Sequence, residues 1–165
     1  MDTRNTGMDQ IHRGEIRRGK LVNSAVTSKK GTGALIYSRK TKRYLFLLRN
    51  GHSYSGTWGL AGGKVNPNER IIEALNREIQ EEMCVDLAER KAIPIETFTS
   101  NNLNFVYHTF LIPVEEEFVP ELNNEHRGYC WVFLEDYPRP LHPGVWQSFK
   151  FKSIIDKLNT LENVL

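Results

Sequence analysis

The sequence contains little cysteine, no long apolar run and almost no net charge. Two of its 165 residues are cysteines, Cys84 and Cys130, which is too few for a disulfide framework. No apolar run approaches the roughly 18 residues that a membrane-spanning helix needs. The net charge of +2 argues against a nucleic-acid partner and against attraction to a membrane surface. Residues 1–20 lack the apolar stretch of a signal peptide, so we expect a cytoplasmic location.

The chain does contain enough apolar residues for one folded domain. Its hydrophobic content of 39% and charged content of 25% are ordinary for a globular protein. Residues 1–25 are polar, basic and aperiodic, which predicts a flexible N-terminal arm. Residues 26–165 show no repeat and no linker, so we expect a single domain. A homodimer is compatible with the sequence.

Short apolar runs between polar turns predict most of the secondary structure. The runs that predict strands lie at 33–37, 43–49, 93–100, 103–114 and 129–134, and the first two flank a charged turn typical of a β-hairpin. Residues 50–69 are rich in Gly, Ser and Asn and predict a loop. Residues 146–164 predict one amphipathic helix. The mixed order of strands and helices indicates an α+β domain with a mixed sheet.

A helix predicted from about Arg70 to Met83 carries three carboxylates within five residues. At about 100° per residue, Glu78, Glu81 and Glu82 share an arc of about 100° that borders the apolar stripe. Like charges this close repel one another, and a divalent cation with hard oxygen ligands would offset the repulsion. From the helix alone, a metal site and a solvated acidic face remain equal alternatives.

A glycine-rich segment precedes this helix. Gly62 and Gly63 would let backbone approach a ligand closely, and a glycine-rich loop at the start of a helix favours phosphate binding. The segment lacks the spacing of a Walker loop or of a dinucleotide fingerprint. Residues 66–69 predict a helix start with a capping box, although the helix could also begin one turn later.

The run from Gly63 to Val85 resembles the Nudix box. That motif consists of glycine, five residues, Glu, seven residues, and then Arg-Glu-apolar-x-Glu-Glu-x-Gly-apolar. The matching residues are Gly63, Glu69, Arg77, Glu78, Ile79, Glu81, Glu82 and Val85. Cys84 departs from the motif, where glycine is usual, and we expect a half-buried, inert thiol that costs about 1 kcal/mol if its φ is positive. With similar flanking segments, the resemblance covers about residues 30–160.

The resemblance implies a fold, a reaction and a set of metal ligands. The fold is an αβα sandwich around a mixed sheet, and the reaction is hydrolysis of a nucleoside diphosphate linked to another group, with Mg²⁺ or Mn²⁺. The implied ligands are Glu78, Glu81, Glu82 and the Gly63 carbonyl. Arg77 would orient the carboxylates, and Glu69 would pair with Arg77 from the loop before the helix.

Further residues are candidates for substrate contacts or proton transfer. We expect Arg49, Trp58, Gly62 and Gly63 to bind substrate, although Arg49 could instead meet a surface carboxylate. For Trp58, Phe105, Tyr107 and Trp146, core packing competes with stacking on a base and is favoured. Glu125, six residues before Trp131, is predicted to be the general base or a further ligand, with a solvated carboxylate as the alternative. We expect His126 at the surface.

The sequence leaves the substrate open. Dinucleoside polyphosphates, ADP-ribose and other nucleotide sugars, and nucleoside triphosphates are all compatible, with a mild preference for the first from the segment 124–132. A catalytically weak nucleotide sensor of the same fold is the alternative function, although it would not need the intact carboxylates. An isoprenoid diphosphate isomerase would need a nucleophilic cysteine, and Cys130 lies in no matching context.

Overall fold

The computed structural model describes residues 28–165, so the predicted arm at residues 1–25 lies outside the described part of the chain. The elements are β1 (Lys29–Ser38), β2 (Tyr44–Arg49), β3 (Trp58–Gly59), β4 (Ala61–Lys64), α1 (Ile71–Met83), β5 (Ile93–Thr99), β6 (Phe105–Val114), β7 (His126–Val132), α2 (Pro143–Phe149) and α3 (Lys152–Val164). Within residues 28–165, none of the helices has the length and apolar character needed to span a lipid bilayer.

The strands form one mixed sheet in the order β3-β2-β1-β6-β5. The β4 strand pairs with the N-terminal half of β1, and β7 pairs with β2. The β1 and β6 strands are parallel, whereas the other pairs are antiparallel. The antiparallel pairing of β1 with β2 confirms the predicted hairpin.

Side chains alternate along β1, which gives the sheet two buried faces. Ala34 and Ile36 pack in a core with Leu75 and Ile79 of α1. On the other face Leu35 and Tyr37 pack in a second core with residues of α2 and α3. Burial of each large apolar side chain contributes about 1.5–3 kcal/mol. Helices therefore cover both faces of a mixed sheet, and this is the predicted αβα sandwich.

Two segments differ from the sequence prediction. The predicted loop at 50–69 contains the short strands β3 and β4, which the pattern missed because glycine carries no side chain that favours a strand. The helix predicted over 146–164 is interrupted, because Phe151 has extended backbone (φ −82°, ψ 113°) and serves as the N-cap of α3. This break lets Phe149 of α2 and Leu158 of α3 enter the same core.

Candidate active site

Helix α1 begins at Ile71, one turn later than a start at residues 66–69 would give. Residues 66–69 form a turn instead, in which Asn68 has a φ of 65°, and a residue in this left-handed region cannot continue a helix. The Asn66 N–H donates to Glu69 Oε2 at 2.8 Å. Asn66 and Glu69, the residues of the predicted capping box, are therefore hydrogen-bonded within this turn. The later of the two predicted helix starts is confirmed.

The glycines of β4 allow other parts of the chain to approach closely, α1 at Gly63 and the backbone of β1 at Gly62. A Cβ atom on Gly63 would lie 2.5 Å from the Glu78 carboxyl carbon, and one on Gly62 would lie 2.1 Å from the Thr32 carbonyl oxygen. The Gly62 N–H donates to Glu82 Oε2 at 2.8 Å. The two glycines thus lie in a strand against the carboxylates, and the expectation of a loop at a helix N-terminus was wrong.

Arg77 connects the acidic side chains to one another. Its Nε and Nη2 donate to the two oxygens of Glu69 at 2.8 and 3.0 Å. Its Nη1 donates to Glu78 at 2.8 Å and to Glu81 at 3.3 Å, and Nη2 also donates to the Lys64 carbonyl at 2.9 Å. The expected Arg77–Glu69 pair is therefore present. The planar guanidinium group of Arg77 fixes the positions of several acceptors at once.

Burial opposes ionisation of two carboxyl groups. Glu82 is only 2% exposed, and burial raises its pKa to about 9 against the opposing hydrogen bond from the Gly62 N–H. Burial also raises the pKa of Glu78, while the hydrogen bond from Arg77 lowers it. The charge of Glu125 adds to both upward shifts. Both carboxyl groups are therefore harder to ionise than an exposed glutamate, chiefly because they are buried.

This donor set fits a divalent cation by its chemistry. Carboxylate oxygens and a backbone carbonyl are the hard ligands that Mg²⁺ and Mn²⁺ prefer, and a nearby dication would favour the ionised form of these buried carboxyl groups. Among residues 28–165, no three His, Cys, Asp or Glu side chains are arranged as a metal-binding group. The carboxylate oxygens are held instead by Arg77 and by the Gly62 N–H.

Glu125 lies in the turn before β7. Its N–H donates to Asn123 Oδ1 at 3.0 Å, and its carbonyl accepts from the Asn50 N–H at 2.7 Å. The next residue, His126, is 4% exposed, so the expectation of a surface histidine was wrong. Burial and the nearby charge of Arg49 lower the His126 pKa to about 4. The imidazole is therefore neutral at neutral pH, and neither ring nitrogen has a partner among the described residues.

A cleft of about 340 Å³ extends from the β4 glycines along the face of the sheet that α2 covers. Its glycine end is lined by Gly62, Gly63, Lys64 and Arg49, and its aromatic end by Phe98, Phe105 and Tyr107. The Tyr107 ring lies over Gly33, since a Cβ atom there would be 2.2 Å from the Tyr107 hydroxyl oxygen. Glu78 and Glu82 therefore lie against the glycines that line one end of the cleft, although none of the helix carboxylates lines the cleft itself. The other end offers flat apolar surfaces.

The residues considered for substrate contacts occupy different places, and the favoured core packing was wrong for Phe105 and Trp146, which are exposed. Arg49, Gly62 and Gly63 line the cleft, as do Phe105 and Tyr107. Trp58 is half-buried and packs against the core beneath α2 and α3. Trp146 is 49% exposed on α2 and does not line the cleft.

Sequence reasoning missed several residues that line the cleft. Glu96 and Phe98 come from β5, and His142 and Ser148 come from the start and end of α2. They belong to no local motif. Glu96 and Phe98 approach the Nudix-like segment through the pairing of β5, β6 and β1, whereas the His142 N–H donates to the Trp58 carbonyl. The available signal was an aromatic residue among polar ones in the predicted strand at 93–100.

Cys84 ends α1 in the left-handed conformation, with φ 55° and ψ 34°. Its N–H donates to the Gln80 carbonyl at 3.0 Å, which is typical of a helix C-terminus that favours glycine. The thiol is exposed, so the expectation of a half-buried cysteine was wrong. The reason is that the chain leaves the helix at this residue and carries the side chain away from the apolar stripe.

Comparisons with known proteins identify the family of the chain. The sequence model of the NUDIX domain matches residues 27–152, so the chain belongs to the NUDIX domain family. It is 34% identical over 93 residues to the nucleoside triphosphatase NudI of Escherichia coli O1:K1, a match that covers 50% of this chain and 66% of that protein.

Solved structures share the fold. A MutT NUDIX hydrolase from Burkholderia pseudomallei superposes with a TM-score of 0.63 at 27% identity, over 74% of this chain and 96% of that one. An Ap4A hydrolase from C. elegans superposes with a TM-score of 0.62 at 20% identity, over 82% of this chain and 99% of that one. At that identity the second likeness shows the fold alone.

Proposed function

We propose that this protein is a divalent-metal-dependent hydrolase that cleaves a phosphoric anhydride bond in a nucleoside diphosphate derivative. The observation that carries the proposal is the position of Glu78 and Glu82 against Gly62 and Gly63 at one end of the cleft. The aromatic end of the same cleft has the character of a base-binding surface. Family membership supports a reaction of this class.

In this proposal Glu78, Glu81, Glu82 and the Gly63 carbonyl hold Mg²⁺ or Mn²⁺. The ion supplies neutralisation of the diphosphate charge and activation of water. Arg77 acts on the carboxylates, because its hydrogen bonds to Glu78 and Glu81 set their orientation. Positioning groups of this kind typically change activity by 10- to 100-fold when they are altered.

Glu125 is the proposed proton acceptor for the attacking water, or a further ligand. Its charge raises the pKa of both Glu78 and Glu82, which supports a role for Glu125 beside the helix carboxylates. A general base must reach the water within hydrogen-bond distance, and the backbone bonds to Asn50 and Asn123 hold the Glu125 turn in place.

Arg49 and Lys64 supply positive charge at the glycine end of the cleft. Arg49 donates from Nε to the Ser53 carbonyl at 3.1 Å, which leaves its terminal nitrogens for phosphate oxygens. Phe105 and Tyr107 provide the proposed stacking surface, for which about 1–3 kcal/mol per base is typical.

Nucleoside triphosphates are the favoured substrates within this class. The match to a nucleoside triphosphatase over 93 residues supports them more directly than the segment 124–132 supports dinucleoside polyphosphates. ADP-ribose and nucleotide sugars complete the set that the site chemistry admits.

The test is phosphate release from a substrate panel with Mg²⁺ or Mn²⁺, using a phosphatase as the coupling enzyme. The panel contains nucleoside triphosphates, dinucleoside polyphosphates, ADP-ribose and nucleotide sugars. We expect turnover of at least one class, highest for triphosphates, and its loss when a chelator removes the metal. Absence of turnover with either metal across the panel would contradict the proposal.

A further inference from the structure

An irregularity in β5 turns Glu96 into the cleft. Pro94 pairs with Phe110 of β6. The next pair is Glu96 with Thr109, so Ile95 is an extra residue in a β-bulge. With regular pairing Glu96 would lie opposite a neighbour of Thr109 and face the other side of the sheet, because side chains alternate. Both Ile95 and Glu96 line the cleft, so the bulge places a carboxylate among mostly apolar groups.

The Glu96 carboxylate keeps hydrogen-bonding capacity free for a ligand. The Ser148 hydroxyl of α2 donates to its Oε2, while Oε1 accepts from no described residue. No Lys or Arg among residues 28–165 forms an ion pair with Glu96. A carboxylate accepts about four hydrogen bonds and donates none. A half-buried carboxylate of this kind is therefore suited to a ligand that brings N–H donors.

A single row of paired residues connects Glu96 to the glycine end. Gly62 pairs with Gly33 across β4 and β1. Gly33 in turn pairs with Thr109 of β6, the partner of Glu96. Three strand spacings of about 4.8 Å separate the ends of this row, or about 14 Å in total. If the phosphates of a nucleotide bind at the glycine end, its base rather than its ribose would therefore lie near Glu96.

The neighbouring row supplies aromatic surfaces. Phe98 pairs with Tyr107, and Tyr107 pairs with Gly31. The Phe105 and Tyr107 ring centroids are 6.1 Å apart, and Phe98 and Phe105 are 42% and 38% exposed. Exposed rings beside an acceptor can contact the face of a base while the acceptor contacts its edge.

We propose that Glu96 is a specificity-determining residue that reads the base edge and selects guanine. The inference rests on the proposed function for the ligand being a nucleotide. Guanine presents two adjacent donors, the N1–H and the exocyclic amine, which match the two oxygens of one carboxylate. Uracil presents one N–H between two carbonyl oxygens, and these repel a carboxylate. A matched bidentate pair discriminates between bases by about 10- to 100-fold.

The experiment compares kcat/KM for GTP, ITP, UTP and dGTP with the full chain and Mg²⁺. The wild type should prefer GTP to UTP by about 10- to 100-fold, and ITP, which lacks the amine, should fall about tenfold below GTP. Glu96→Gln should remove most of this preference through KM, because its amide replaces one acceptor with a donor. Ser148→Ala should cause a smaller loss of the same sign, because it frees the carboxylate to rotate.

Glu89→Gln is the matched control, since Glu89 is exposed and lies outside the cleft. It should keep the wild-type ranking. An unchanged ranking in Glu96→Gln would overturn the inference. So would a large loss for dGTP with no loss for ITP, because the carboxylate would then bind the ribose hydroxyls.

A binding measurement separates this inference from the proposed function. Calorimetry with methylene-bridged analogues of GTP and UTP needs no turnover. At least about tenfold tighter binding of the guanosine analogue, lost in Glu96→Gln, would support the inference even if the chain hydrolysed nothing. Equal binding of the two analogues would overturn it even if hydrolysis occurred.

Discussion

The two ends of the cleft are built from different kinds of interaction. At the glycine end, Arg77 binds three carboxylates, those of Glu69, Glu78 and Glu81, and the Gly62 N–H donates to Glu82. Burial raises the pKa of Glu78 and Glu82. At the aromatic end, partly exposed rings surround the carboxylate of Glu96. Burying like charges costs folding free energy, and leaving the rings partly exposed forgoes part of the stabilisation that their burial would bring. The difference suggests that the glycine end performs the chemistry and the aromatic end recognises the substrate, so substitutions should affect kcat and KM separately.

The largest effect is expected from the helix carboxylates. Glu78→Gln and Glu82→Gln should each lower kcat by at least about 10²–10³, because each removes charge from a metal-assisted step. KM should change much less, since recognition lies at the other end of the cleft. Steady-state kinetics with Mg²⁺ provides the measurement, and thermal unfolding verifies that each variant remains folded.

Glu73→Gln is the matched control for these two variants. Glu73 is exposed and pairs with Arg70 on the same helix, away from the cleft, so its loss should leave kcat unchanged. Near-wild-type turnover of both site variants would show that the acidic cluster has no part in the reaction. The contrast between the two ends would then disappear.

A smaller effect, about 100-fold in kcat and thus at the lower end of the range typical for loss of a general base, is expected for Glu125→Gln. If Glu125 is the base, the acidic limb of the pH–rate profile should flatten while the Mg²⁺ dependence stays the same. If it is a ligand, the Mg²⁺ concentration for half-maximal rate should rise. Glu135→Gln, an exposed control, should change neither. Unchanged kinetics in Glu125→Gln would remove this residue from the site and direct attention to Glu121 or to residues 115–117.

The glycine end could be predicted because one contiguous segment contains most of it. Between Gly63 and Glu82 the carboxylates are spaced so that they fall on one side of a helix. The helix begins and ends within one residue of the prediction. The strand β4 escaped prediction, because Gly62 and Gly63 carry no pattern of alternating side chains. Its presence follows from pairing with β1, which is a long-range interaction.

The aromatic end could not be predicted from local patterns. It combines residues of α2 with residues of β5 and β6, and the parallel pairing of β1 with β6 brings these two strands to the Nudix segment. The sequence favours core packing over stacking for Phe105 and Tyr107, and nothing near them in sequence distinguishes a cleft from a core. Glu96 depends on a bulge at Ile95, and a one-residue change of register reverses the face to which a strand residue points.

The buried carboxyl of Glu82 predicts how stability depends on pH. Its pKa is raised from an ordinary value of 4.5 to about 9. Its contribution to the free energy of unfolding is therefore fully present below about pH 4.5 and is lost as pH rises towards 9. The lowered pKa of His126 makes the stability fall as pH drops below the ordinary histidine pKa of 6.5. The effect of Glu82 is therefore measured above pH 6.5. The melting temperature of the metal-free protein should fall by several degrees between pH 6.5 and 9.

The Glu82→Gln variant tests the cause of this decline. It should flatten the pH dependence across the same window, because glutamine does not titrate, whereas Glu89→Gln should retain it. Differential scanning calorimetry in the presence of a chelator provides the measurement. An equal decline in Glu82→Gln and in the wild type would assign the effect to other groups. The glycine end would then carry less of the electrostatic cost than its burial indicates.

The smallest effect is expected for Cys84→Gly, two residues beyond Glu82 and outside both ends of the cleft. The φ of 55° at Cys84 is unfavourable for a residue with a Cβ atom, so glycine should raise the free energy of unfolding by about 0.5–1 kcal/mol. Urea unfolding measures this change. Cys84→Ala removes the thiol but keeps the Cβ atom, so it should not stabilise the protein, and a similar gain in both variants would exclude backbone strain as the cause. Activity should persist in both, because the exposed thiol contacts neither end of the cleft, and a loss of turnover in a folded variant would show that the thiol itself takes part.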